Sequence, residues 1–232
     1  MSHPFPDEAT LSLFGDGFRR LVRMVLGHET GTPAMEPNQH GAALRRSSGM
    51  REFWKAIEAP SGLQILDLGS ASQANVNFIT GLQHKLYTED LHRALLSEDF
   101  VAEESDEIQE EVARFFCRNL KYDDGQFDGI LCWDLFDFLP EPLVKPLVDR
   151  LLCFLKPGGT VLSFFHTAAP GEEVPIYQYH IRTEESLQLS GRGTGKLLRH
   201  FNNRNIENLF LGFNSLKFYL ARDNLREVIS VR

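Results

Sequence analysis

At 232 residues, with 42% hydrophobic and 24% charged side chains, the chain is long enough for one large globular domain with a substantial core. Its 32 acids against 24 bases give a formal charge of −8, a poor match to a phosphate backbone, so nucleic acid is not expected as the main partner. No apolar run approaches the ~18 residues needed to span a bilayer, and the opening MSHPFPDEAT has neither a basic nor an apolar leader region; a cytoplasmic protein without a membrane partner is expected.

In chain order, Leu11, Phe14, Phe18, Leu21, Val22 and Val25 fall at helical spacing, with Arg19, Arg20 and Arg23 on the opposite face. Gly27 to Gly49 turns to Gly, Pro, Ser, Asn and His and reads as a loop or cover. A short helix from Met50 to Ile57 then brings Phe53 and Trp54 toward the body of the protein. Residues 1–60 are thus expected as a helical extension or lid, and 61–232 as the main domain.

The main domain opens on QILDLGSASQANVNFI, Gln64 to Ile79. Ile65, Leu66 and Leu68 form a short buried strand carrying Asp67, which breaks at Gly69 into the small residues Ser70, Ala71 and Ser72 before a helix resumes near Val76. Such a strand, turn and helix suits a nucleotide-like ligand, because glycine frees the backbone and the helix start offers unpaired N–H groups. A tight turn of this kind also serves ordinary α/β packing.

His84 to Glu89 reads as a second strand ending in Glu89-Asp90, the acidic run from Glu98 to Glu111 as a solvated helix, and Phe115 to Leu120 as a weak third strand. FDGILCW, Phe127 to Trp133, is the clearest strand, of the type buried on both faces of a parallel sheet. A helix lined by Leu143, Val144, Leu147, Leu151 and Leu155 ends at Lys156-Pro157-Gly158-Gly159, and Thr160 to Phe165 is the next strand. Pro170 to Pro175 is expected as a loop, Ile176 to Leu189 as strand-like, and SGRGTGK, Ser190 to Lys196, as a flexible turn. A helix capped by Asn202 or Asn203 precedes a closing hairpin of Leu216 to Ala221 and Arg226 to Val231.

Several motif classes are excluded. SGRGTGK cannot be a phosphate loop of Walker type, since Ser190 stands where glycine is required and Leu197 where Ser or Thr is required. The eight histidines offer no helical i, i+4 ligand pair, so no metal is expected. Cys117, Cys132 and Cys153 lie far apart among apolar neighbours and are expected as buried free thiols.

The order of these elements resembles a class I S-adenosylmethionine-dependent methyltransferase over about Gln64 to Arg232. ILDLGSAS stands at the family's acid and glycine-rich loop, and Asp90 lies 23 residues after Asp67, where an acid holds the ribose. FDGILCWD matches the fourth strand, and LLCFLKPGGTVLSFF the helix, turn and strand that follow. The resemblance implies an α/β, three-layer Rossmann-like fold with a mostly parallel seven-stranded sheet and an antiparallel C-terminal strand. It also implies S-adenosylmethionine as cofactor and a small or medium-sized molecule as methyl acceptor.

Residue by residue, it assigns Gly69, Ser70, Ala71 and Ser72 to the methionine part, with Asp67 organising the loop. Asp90 would hold the ribose, and Asn119, Leu120 and Trp133 would frame the adenine. Asp134 and His166 are the candidates for substrate contact, His166 as a base if the acceptor is a hydroxyl. Structural roles stand beside these: a helix cap for Asp134, a strand-end histidine for His166, core packing for Trp133. The chain departs from the family at Ala71 and Gln73, where further glycines are usual, and at CWDLFDF, where no Asn-Pro-Pro-aromatic tetrad stands. A catalytically inactive, cofactor-binding or interaction protein of the same fold is therefore the alternative.

Overall fold

FDGILCW is apolar apart from Asp128 at its start because its strand lies in the middle of a sheet covered on both faces. The computed structural model describes residues 43–97, 108–220 and 223–232. The helix expected between Leu11 and Val25 and most of the acidic run lie outside the described residues.

The elements run β1 (Ala43–Arg46), α1 (Ser48–Ala56), β2 (Gln64–Asp67), α2 (Gln73–Gly81), β3 (Lys85–Thr88), α3 (Leu91–Ser97) and α4 (Ile108–Asn119). They continue with β4 (Phe127–Trp133), a 3-10 turn (Leu135–Phe138), α5 (Glu141–Phe154), β5 (Leu155–His166), β6 (Glu173–Thr183), β7 (Ser186–Lys196), α6 (Asn203–Leu209), β8 (Ser215–Leu220) and β9 (Leu225–Val231). The main sheet has the order β3-β2-β4-β5-β9-β8. β3, β2, β4 and β5 are parallel neighbours, whereas β9 is antiparallel to both β5 and β8.

Alternation along the strands builds two cores. Leu66, Ile130, Val161, Phe165 and Val228 face one side, where Leu91 of α3, Phe115 of α4, Leu147 and Leu151 of α5 and Phe210 close over them. Ile65, Leu131, Leu162, Phe164 and Ile229 face the other, against Met50, Phe53 and Trp54 of α1 and Ile79 of α2. Gly129 permits this second contact, since a Cβ there would lie 2.5 Å from the Phe53 ring. Ser47 caps α1 by accepting the Met50 N–H at 2.9 Å, and Asn202 and Asn205 form a reciprocal capping box on α6.

A second, three-stranded antiparallel sheet, β1-β7-β6, lies on the side of α1 and α2 and buries Tyr179, Ile181, Leu187 and Leu189 there. Arg45 of β1 anchors it by pairing with Asp223 and with the buried Glu227 of β9. Glu227 also accepts the Ser47 hydroxyl at 3.0 Å and the Gly49 N–H.

The structure corrects several expectations. The main sheet has six strands among the described residues, because the segment expected as a third strand belongs to α4: Val112, Phe115 and Phe116 recur at helical spacing and pack into the core. SGRGTGK is the second half of β7, held extended by pairing of Gly193 with Ile176 and Gly195 with Val174, so long-range pairing overrides local composition. The expected loop around Pro170 to Pro175 already contains the start of β6 at Glu173, and the segment expected as a loop up to Gly49 ends in β1 and the start of α1. Cys132 is buried, but Cys117 and Cys153 are exposed; all three are free thiols. Among the described residues no helix is long and apolar enough to cross a membrane.

Candidate functional site

β2 lies between β3 and β4, so the chain leaves it for opposite directions in the sheet, and a crevice opens beyond the carboxyl ends of these strands. It encloses about 570 Å³. Gly69, Ser70, Ala71, Asp90, Trp133 and Asp134, six of the residues expected at a site, line it together. β6 and β7 add Tyr177, Gln178, Tyr179 and Arg192, and α3 adds His92 and Arg93.

Asp90 sits at the open rim. One carboxylate oxygen accepts the Ser70 hydroxyl at 2.8 Å and the other accepts the Arg93 N–H at 3.0 Å, which caps the first turn of α3. The carboxylate therefore stands opposite the small-residue loop and is still accessible from the cleft.

Asp67 does not reach the cleft. It is buried beneath the loop and accepts the Trp133 indole N–H at 2.6 Å, the Asn75 amide at 2.8 Å and the Gly69 N–H at 3.0 Å. Burial pushes its pKa up, and these three donors work against that push. Asp67 thus organises the loop, and it does so through protein donors.

Trp133 is 3% exposed and packed in the core, the structural role the sequence left open for it. The pairing of β4 with β5 is irregular between Leu131 and Trp133, and Trp133 has a left-handed backbone, φ 50°, a conformation that costs an ordinary residue about 1–2 kcal/mol. Its ring stacks on Tyr179 with centroids 4.9 Å apart and planes 2° from parallel. The indole lies directly on Gly69, where an added Cβ would be 2.8 Å from Cδ1 and 2.9 Å from Nε1. Trp133 therefore covers the glycine while still lining the cleft.

β6 completes this cover. The Gln178 amide donates to the Ala71 carbonyl at 3.0 Å, and the Ser72 hydroxyl meets His180 Nδ1 at 2.7 Å. Asn75 donates to the Tyr179 carbonyl at 3.1 Å and accepts the Ile181 N–H at 2.7 Å. Ser72 is thereby the cap of α2 and a partner of β6, and it does not line the cleft.

Asp134 lines the cleft from below. It is buried, and its carboxylate accepts the Tyr179 hydroxyl at 2.9 Å. Burial pushes its pKa to about 6. His166 lies behind it, outside the cleft. Asp137 accepts both the His166 backbone N–H at 2.7 Å and Nδ1 at 2.9 Å, which leaves Nε2 buried without a protein partner. Burial opposes charging of this imidazole, but the Asp137 hydrogen bond and the charges of Asp134 and Asp137 outweigh it and raise its pKa.

The two remaining expectations lie elsewhere. Asn119 ends α4 with its amide donated to the Phe115 carbonyl at 2.9 Å, and Leu120 is packed in the core with 1% exposure. Neither lines the cleft, because the strand that would have carried them there is a helix. Asn75, Gln178, Tyr179 and Asp137 were not singled out from the sequence. Alternation in IYQYHI does signal a strand, but not which of its faces meets the loop.

No protein-family profile matches the sequence, and no curated protein matches it. Among solved structures, the chain is similar to the 1,6-didemethyltoxoflavin-N1-methyltransferase of Burkholderia thailandensis, at TM-score 0.43 and 13% identity over 100% of this chain and 93% of the other. It is similar to a TehB-like SAM-dependent methyltransferase of Corynebacterium glutamicum at TM-score 0.43 and 12% identity, over 97% and 100%. A SAM-dependent methyltransferase of Aquifex aeolicus gives TM-score 0.41 and 14% identity, over 78% and 88%. In strand order, in the single antiparallel strand β9 and in the crevice beyond β2, the fold is a Rossmann-like α/β fold with six strands in its main sheet among the described residues.

Proposed function

We propose that the cleft binds S-adenosylmethionine and that the protein is a methyltransferase for a small or medium-sized acceptor. The observation that carries this reading is the position of Asp90: just past the carboxyl end of β3, it meets the Ser70 hydroxyl of the Gly69 to Ala71 turn at 2.8 Å, on the rim of a cleft of about 570 Å³ at the switch point of the sheet. Its carboxylate suits two adjacent ribose hydroxyls, which donate to it in place of Ser70.

S-adenosylmethionine supplies an electrophilic methyl group, so the protein's task is to align an acceptor and relieve it of a proton. Asp134 is the chain's candidate for that second task. It lines the cleft, and a pKa of about 6 lets it accept a proton at neutral pH while remaining a better base than an ordinary carboxylate. His166, held by Asp137 behind Asp134, supports that charge and has no direct path to the cleft.

A second reading, a cofactor-binding protein without turnover, is favoured by one observation: the Trp133 indole rests on Gly69, where the methionine part is expected. Calorimetric titration with S-adenosylmethionine and with adenosine tests both readings. Heat from neither ligand at millimolar concentration overturns the site assignment. Binding without methyl transfer to a broad panel of hydroxyl and amine acceptors selects the second reading.

A further inference from the structure

The two ends of the cleft are in different states. At Asp90 a ligand has only to displace the exposed Ser70 hydroxyl, but at the turn the protein holds Gly69, Ala71 and Ser72. Trp133 fills the space over Gly69, Gln178 holds the Ala71 carbonyl, and His180 holds the Ser72 hydroxyl. Underneath, the Asp67 carboxylate, which could otherwise orient an ammonium, is consumed by the indole, Asn75 and Gly69.

This is a built arrangement. Trp133 is held in a left-handed backbone, its ring is stacked flat on Tyr179, and Tyr179 is itself fixed by Asp134. Asn75 bonds to β6 at two backbone positions flanking His180, the Tyr179 carbonyl and the Ile181 N–H. The loop, the end of β4 and β6 therefore lock one another.

We infer that the cleft in this state selects a nucleoside without an amino-acid tail, and that Trp133 and Gln178 form a latch that must open before S-adenosylmethionine can seat its methionine part. This inference rests on the reading of Asp90 as the ribose partner and of the Gly69 turn as the place of the tail. Adenosine needs only the open end. S-adenosylmethionine needs the indole and the Gln178 amide to leave, so its affinity is lowered by the stability of the latch.

Calorimetry with adenosine, 5′-methylthioadenosine and S-adenosylmethionine on the full chain tests this. The wild-type protein is expected to bind the two tail-free nucleosides at least tenfold more tightly than S-adenosylmethionine. Gln178→Ala, at a half-buried position outside the apolar clusters, is expected to narrow that ratio by at least threefold through tighter S-adenosylmethionine binding. Trp133→Ala is expected to narrow it further, and if that variant does not fold, Gln178→Ala decides. S-adenosylmethionine binding as tight as adenosine in the wild type overturns the latch, as does a ratio that no folded variant changes. Absence of adenosine binding instead overturns the ribose assignment itself, so the two failures are separable.

Discussion

Asp90 and Asp134 face the same cleft from different depths, and depth divides their roles. Asp90 keeps a solvent-facing carboxylate whose partner, the Ser70 hydroxyl, a ligand can replace. Asp90→Ala is expected to weaken binding of adenosine and S-adenosylmethionine alike by about 1–3 kcal/mol, measured by calorimetry; unchanged affinity would place the ribose elsewhere. Asp134 is buried and its pKa is raised to about 6, so its ionised form is less favourable folded than unfolded. For an acid shifted upward, the folded state holds more protons than the unfolded state between the two pKa values, and stability falls as pH rises through that window. Half-buried His92, pushed down to about 4 by desolvation, acts in the opposite direction over the same range, so the wild-type profile alone does not report Asp134. The difference does: Asp134→Asn should gain stability relative to wild type between about pH 4 and 7, on the order of 2–3 kcal/mol, in paired denaturant titrations. Parallel profiles would mean Asp134 is ordinary.

Among the elements, β1 is laddered to β7 and tied to the main sheet by the Arg45 side chain. Arg45 satisfies Glu227, which is 1% exposed, and its guanidinium lies 5.2 Å over the Phe164 ring. Removing it leaves a buried carboxylate with only the Ser47 and Gly49 donors. Arg45→Ala is expected to cost about 3–5 kcal/mol in urea unfolding, and a loss below about 1 kcal/mol would show that those two donors suffice. The sequence made some elements plain and hid others for a physical reason. β4, β5, α5 and α6 carry their own signals in apolar runs, a Lys-Pro-Gly-Gly stop and an asparagine cap. β7 does not, because its glycines are extended only by their ladder with β6. α4 was mistaken in part for a strand because Phe115 and Phe116 side by side satisfy either period.

For the whole molecule, the two-sided core follows from strand alternation, and the crevice follows from strand order, so both were legible once the elements were. The cover over the Gly69 turn was not, since it depends on the register of β6 against α2 and on a β4 end bent out of its plane. The Arg45 clamp has a consequence for how the chain is made. It joins residues separated by 178 and 182 positions, so β1 emerges from the ribosome long before Asp223 and Glu227 exist. Contacts of such span form late, because a large loop must close first. Glu227 belongs to β9, so the clamp between β1 and the main sheet closes only once the last strand of the six-stranded sheet has been made.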